Sequence, residues 1–161
     1  MAVPSISIRP AVAADVPALG KLGAALMRLH HAFDEDRFLA PGDDPETGYG
    51  WFLRSQMSAP EALVLVADRD GEVVGYVYAG VEPLSWKELR DECGFIHDLL
   101  VADDARGQGV AGRLLDAAFE WLRERGMPRV VLWTAEQNAA AQRTFAKAGF
   151  RRTMVEMTRE L

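Results

Sequence analysis

Apolar residues recur along this chain with two periods, two and roughly 3.6, and each change of period marks a new element. Ser5 to Arg9 alternates and predicts a first strand, ended by Pro10. From Asp15 to about His31, Leu19, Leu22, Leu26 and Leu29 fall at helical spacing, with Asp15 near the positive end of the helix dipole. An irregular acidic stretch, Asp34 to Pro45, comes next. Asp44-Pro45 couples a cap to a first-turn proline and predicts a shorter helix to Met57, weakened by Gly48 and Gly50. Ala62 to Ala67 and Glu72 to Val81 read as strands joined by the hairpin signal Asp70-Gly71. Pro83 to Glu92 is a polar loop or helical turn. Phe95 to Val101 is another strand, whose alternation puts His97 with Phe95, Leu99 and Val101 on one face and Asp98 on the other. A long helix, about Gln108 to Arg125, gathers Val110, Leu114, Leu115, Ala118, Trp121 and Leu122 on one side, and Gly126 with Pro128 ends it. Arg129 to Ala135 predicts a strand, Ala139 to Ala148 a helix closed by Gly149, and Phe150 to Thr158 a last strand. The order β-α-α-β-β-β-α-β-α-β, without repeat or linker, predicts one α/β domain with a mixed sheet over residues 1–161.

Composition narrows this picture. At 161 residues, 49% hydrophobic and 26% charged, the chain can bury one proper core without staples. Cys93 is the single cysteine, so no internal disulfide forms, and no Cys/His spacing suits a metal. No apolar run approaches the ~20 residues that span a bilayer. Met1 to Pro10 lacks the charged start and long apolar core of a signal peptide, so the expectation is a cytoplasmic protein without a membrane partner. Eighteen Lys and Arg against 24 Asp and Glu, net −6, argue against a nucleic-acid partner. Any anionic ligand must then be held by local groups against the long-range field.

One such place is Arg106-Gly107-Gln108-Gly109-Val110-Ala111, between a strand and the long helix. A helix start leaves N–H groups without partners and carries partial positive charge. Glycines there let a bulky anion approach closely, and a pyrophosphate with Arg106 as counter-charge suits the site. A plain strand-to-helix turn is the bland reading. Gly107-x-Gly109-x-x-Gly112 also matches the dinucleotide fingerprint, but five residues, Ala102 to Arg106, intervene after the strand, and three predicted strands precede it. No Gly-Lys-Ser/Thr follows, which excludes a P-loop.

The Arg106 to Ala111 segment resembles the Arg/Gln-x-x-Gly-x-Gly/Ala signature of the GNAT superfamily of N-acetyltransferases. Asn138-Ala139-Ala140-Ala141, leading to Phe145-Ala146-Lys147-Ala148-Gly149-Phe150, resembles that family's second motif, and Phe95 to Val101 looks like its splayed fourth strand. The spelling is closest to the diamine acetyltransferase branch. The resemblance implies a largely antiparallel sheet flanked by helices, acetyl-CoA as acyl donor, and a homodimer. It also implies that Leu99, Leu100 and Val101 meet the pantetheine arm and that amides of Arg106, Gly107, Gln108, Gly109, Val110 and Ala111 cradle the pyrophosphate. Asn138 would lie near the pantetheine or sulfur, Phe145 against the cofactor, and Lys147 near its phosphates. Asn138 can equally cap its helix, and Lys147 can be merely solvated.

An alkylamine, pKa near ~10, must lose a proton before it attacks. His97 stands where relatives carry a carboxylate, and its imidazole suits proton acceptance at neutral pH; Asp98 is the second candidate. Relatives usually carry tyrosine where this chain has Phe145, so no acid is supplied there, and Tyr49, Tyr76 or Tyr78 could substitute. On the acceptor side the resemblance points to the first two helices and their connection, with His30, Asp34 and Asp36 as candidates for a cationic, polyamine-like or amino small molecule. A metal held by His30, His31 and Asp34 is disfavoured, because adjacent histidines on a helix diverge. The predicted reaction is direct acetyl transfer in a ternary complex. Its alternatives are a non-catalytic acyl-CoA-binding sensor and, further off, a nicotinamide-dinucleotide-binding protein.

Overall fold

The computed structural model describes residues 5–161. Residues 1–4, on which the reading of the amino terminus as leaderless partly rests, lie outside the described residues. The elements in order are β1 (Ile6–Pro10), α1 (Val16–Phe33), α2 (Pro45–Met57), β2 (Ala62–Arg69), β3 (Glu72–Glu82), β4 (Cys93–Val101), α3 (Val110–Glu124), β5 (Val130–Leu132) and α4 (Ala139–Lys147). The five strands lie in chain order in one sheet, antiparallel throughout except for the parallel β4–β5 pair. The parallel pair needs a crossover, which α3 provides.

The sheet is apolar on both faces, which is why Ala62 to Ala67 reads as an unbroken apolar run. Leu65, Ala67, Val77, Ala79 and Ile96 pack against Val110, Leu114, Leu115 and Ala118 of α3. Val64, Val66, Tyr76 and Leu100 face the other way, onto Leu19 of α1 and Leu53 of α2. Each buried Val, Leu or Ile among them contributes about 1.5–3 kcal/mol by leaving water. Asp44 caps α2 by accepting from the Thr47 N–H at 3.2 Å, as the Asp-Pro signal predicts. Asp70 and Gly71 both take positive φ, 51° and 93°, giving the two-residue turn between β2 and β3. Pro83 to Glu92 forms a loop pinned by one bridge, Ser85 to Arg90.

Two strands depart from expectation. β5 is three residues rather than Arg129 to Ala135, because β4 diverges from it after the Ile96–Leu132 pair. The predicted last strand, Phe150 to Thr158, is absent: the chain after Phe150 runs exposed, and no residue of this stretch has a ladder partner. Its strand-like composition is not enough, since strand stability comes from paired neighbours and β5 is too short to template it. The tail touches the body instead through ion pairs, Glu156 with Arg37 and Arg152 with Glu136.

Candidate active site

The site grows from an irregularity in β4. The β3–β4 register runs Tyr78 to Asp98 and then Ala79 to Ile96, so His97 is the extra residue of a bulge. Strict alternation fails there. Leu99 packs with Ile96 and Val101 on the α3 face, whereas the His97 ring stacks between Phe95 (4.7 Å) and Tyr78 (4.6 Å) on the other side. His97 and Asp98, expected on opposite faces, line one cavity. The bulge also falls where the sheet forks, since Ile96 is the last residue of β4 paired with β5. From His97 to Val101 that edge of β4 has no strand beside it.

The cavity, about 220 Å³, lies between β4, α1, α2 and the α1–α2 connection. Leu26, Met27, Phe38 and Leu39 form its apolar wall, and His30, Tyr49, His97 and Asp98 its polar one. Asp98 Oδ2 accepts from the Tyr49 hydroxyl at 2.7 Å and the Tyr76 hydroxyl at 2.9 Å. Burial pushes the Asp98 carboxyl above the ordinary carboxylate range, while the two hydroxyls and the nearby imidazoles of His97 and His30 pull it back. Burial and the neighbouring carboxylate push Tyr49 and Tyr76 far up, so both are neutral donors. Tyr49 reaches Asp98 because Gly23 leaves space: a Cβ on Gly23 would lie 2.0 Å from Tyr49 Cδ1. His97 Nε2 sits 2.9 Å from Glu82 Oε1.

Across the fork lies the glycine loop. Gly107 and Gly109 take φ of 74° and 75°, and Gly109 caps α3. Among the described residues, the N–H groups of Gly107 and of residues 109–112 donate no backbone or side-chain hydrogen bond. A Cβ at Gly107, Gly109 or Gly112 would meet nothing within 4 Å, so the space beside these glycines is open. Such an array is a generic anion cradle. Arg106 donates through Nε to the Val101 carbonyl at 3.2 Å and pairs with Asp103.

The other residues singled out from sequence scatter. Asn138 spends its Oδ1 on capping α4, accepting from the Ala141 N–H at 3.1 Å. Phe145 packs edge-on with Phe150, 5.9 Å apart, against the α3 core, and Lys147 is exposed. Of the acceptor-side candidates only His30 lines the cavity. Asp34 Oδ1 accepts from the N–H groups of Asp36 and Arg37, stabilising a turn, and Asp36 is exposed. Among the described residues no group of three His, Cys, Asp or Glu converges for a metal. Sequence reasoning missed the apolar wall and Glu82. Period-two spacing from Tyr76 through Tyr78 and Gly80 already carried Glu82 toward the same face, and that was the available signal.

Comparison with known proteins is consistent in direction. The acetyltransferase (GNAT) family matches residues 24–150. A mycothiol acetyltransferase of Cellulomonas flavigena is 37% identical over 113 residues, 65% of this chain but 32% of that relative's length. An uncharacterised N-acetyltransferase of Archaeoglobus fulgidus is 37% identical over 68% of this chain and 71% of its own. An aminoglycoside N-acetyltransferase solved in complex with CoA shares the fold, with a TM-score of 0.74 over 99% of this chain and 97% of that one at 19% identity.

Proposed function

The chain belongs to the acetyltransferase (GNAT) family, and we propose that, as an N-acetyltransferase, it moves an acetyl group from acetyl-CoA to a primary amine of a small molecule by direct attack. The observation that carries this reading is the placement of His97 and Asp98. They are the first residues of β4 beyond its last pair with β5, and they line the cavity at that fork. The glycine loop at the start of α3, with unpaired amides, follows the end of β4 after a short turn.

These surroundings fit the donor's chemistry. The N–H groups of residues 107–112 and the open space beside the glycines suit a diphosphate, and the bare edge of β4 at Leu99, Leu100 and Val101 suits an amide-containing arm laid alongside as a strand would be. Arg106, Asn138, Phe145 and Lys147 are the further side chains assigned to hold it. Acetyl-CoA supplies an activated acyl group as a thioester, whose thiol, pKa ~8.5, leaves without a strong acid. This removes the need for a hydroxyl at Phe145.

The chain's own residues handle the amine. Asp98, fixed by Tyr49 and Tyr76, receives the ammonium and holds it at the fork. His97, braced by Glu82, accepts the proton that must leave and passes it outward. Cys93 is buried at the far end of β4, which supports direct attack over an acyl-enzyme.

Thiol release from acetyl-CoA with an amine panel tests the reading. We expect Asp98→Asn to lose about 10²–10⁴ in kcat/KM with folding intact. A protein that acetyl-CoA stabilises but that releases thiol with no amine would be a binder without turnover, and the enzymatic reading would fall.

A further inference from the structure

The cavity's lining carries a further conclusion, resting on the acetyl-transfer reading. We infer that the acceptor is a monocationic primary amine with an apolar body, an arylalkylamine or alkylamine, and not a polyamine.

Charge comes first. Asp98 is the one carboxylate among the cavity's lining residues. Of the acidic residues on the acceptor side, Asp34 is committed to its turn, Asp44 to the cap of α2 and Glu46 to Arg28 at 2.6 Å, while Asp36 is exposed and does not line the cavity. A second ammonium held within the cavity would lie against Leu26, Met27 and Phe38, with no carboxylate in the lining besides Asp98, and an unpaired charge against apolar surface is unfavourable. Both tyrosine donors converge on Asp98 Oδ2, so the other oxygen carries no tyrosine bond and is the one placed to meet a single ammonium.

Shape agrees. Phe38 and His30 meet edge to face at 5.1 Å, and His30 is itself fixed through Nδ1 to the Leu26 carbonyl at 2.9 Å. Phe38, with Leu26 and Met27, thus supplies apolar surface in the same cavity as Asp98. A volume of about 220 Å³ lies below the ~300–1,000 Å³ of typical ligand pockets and suits an acceptor with a small body.

The transfer balances as one ammonium and one thioester giving an amide, a thiol and a proton. The nitrogen lone pair forms the N–C bond and sulfur takes the electron pair of the broken C–S bond. Of the two protons nitrogen loses, one ends on sulfur and the other leaves past His97.

The test compares 2-phenylethylamine, hexylamine and spermidine as acceptors of the wild-type protein, by thiol release and by the thermal shift each amine gives alone. The expected result is kcat/KM about tenfold or more higher for the two monoamines, each shifting the melting midpoint where spermidine does not. Met27→Glu, which supplies a second carboxylate, should swing the phenylethylamine-to-spermidine ratio about tenfold toward spermidine. Phe38→Ala should weaken phenylethylamine more than hexylamine. Preference for spermidine in the wild type, or a ratio unmoved by both folded variants, overturns the inference while leaving acetyl transfer intact. Absence of both an acetyl-CoA thermal shift and thiol release with every amine would instead sink the transfer reading itself.

Discussion

Asp98 sits between opposed influences. Burial in the cavity wall favours its neutral acid, while hydrogen bonds from Tyr49 and Tyr76 favour its anion, and burial prevails. Because the carboxylate must be charged to hold an ammonium, kcat/KM should rise with pH along an acid limb above the ordinary ~3.9 of aspartate. Tyr49→Phe removes a bond to the charged form and should move that limb further up. A limb that stays still or moves down would show that Asp98 is not the group being titrated. A second carboxylate behaves oppositely. Asp15, 7% exposed at its side chain, takes a two-pronged bond from Arg9 at 2.7 and 3.0 Å, which holds its pKa below the ordinary value. Its stabilising effect is therefore complete above ~3.9 and fades as pH falls from there through the lowered folded value. Arg9→Met should cost about 2 kcal/mol at neutral pH and flatten that acid loss, readable as urea midpoints against pH.

Packing of whole elements explains why glycines recur in α1 and α2. A Cβ on Gly20 would lie 2.3 Å from the Glu46 carbonyl oxygen, and one on Gly23 would invade the Tyr49 ring. The helices approach closely because both positions are bare. Gly23→Ala should cost about 1–3 kcal/mol through overpacking and should lower turnover as well, since it displaces the tyrosine that holds Asp98. Gly48, with nothing within 4 Å of its Cβ position, is the control: Gly48→Ala should stabilise by about 0.5–1 kcal/mol with turnover unchanged. Equal losses in both variants would remove the special standing of Gly23. In β4 the bulge at His97 brings both polar residues to one face beside the fork.

At the scale of the molecule, the sheet has a closed half and an open one. β1 to β4 form a continuous antiparallel ladder over both cores, whereas β4 and β5 share three residue pairs before they part. A donor that fills the fork should behave as a missing strand. At a hundredfold excess over Kd it should add about 2.7 kcal/mol and raise the melting midpoint by roughly 5–10 °C. Hydrogen exchange should slow at His97 to Val101 and residues 107–112, with no change in the exposed tail after Phe150. Slowing confined to other strands would place the ligand elsewhere. Among the described residues no helix is long and apolar enough to cross a membrane.

The order of elements was legible in the chain because each is announced by short-range chemistry: period, cap, turn pair and helix-ending glycine act within a few residues. The same holds for the loop from Arg106 to Ala111, whose glycines and helix start are adjacent in sequence. Long-range pairing was not legible. Phe150 to Thr158 has the composition of a strand but no ladder partner, and β5 stops at Leu132 because β4 turns away from it. Nor could period two foresee a single extra residue in β4, which carried His97 across to the side of Asp98. The chain by itself determined most of the elements and the glycine turn at the start of α3, through forces that act between neighbours. Tertiary structure alone decided which carboxylate lines the cavity, because burial, the reach of Tyr49 past Gly23 and the apolar wall from α1 exist only once distant segments pack together.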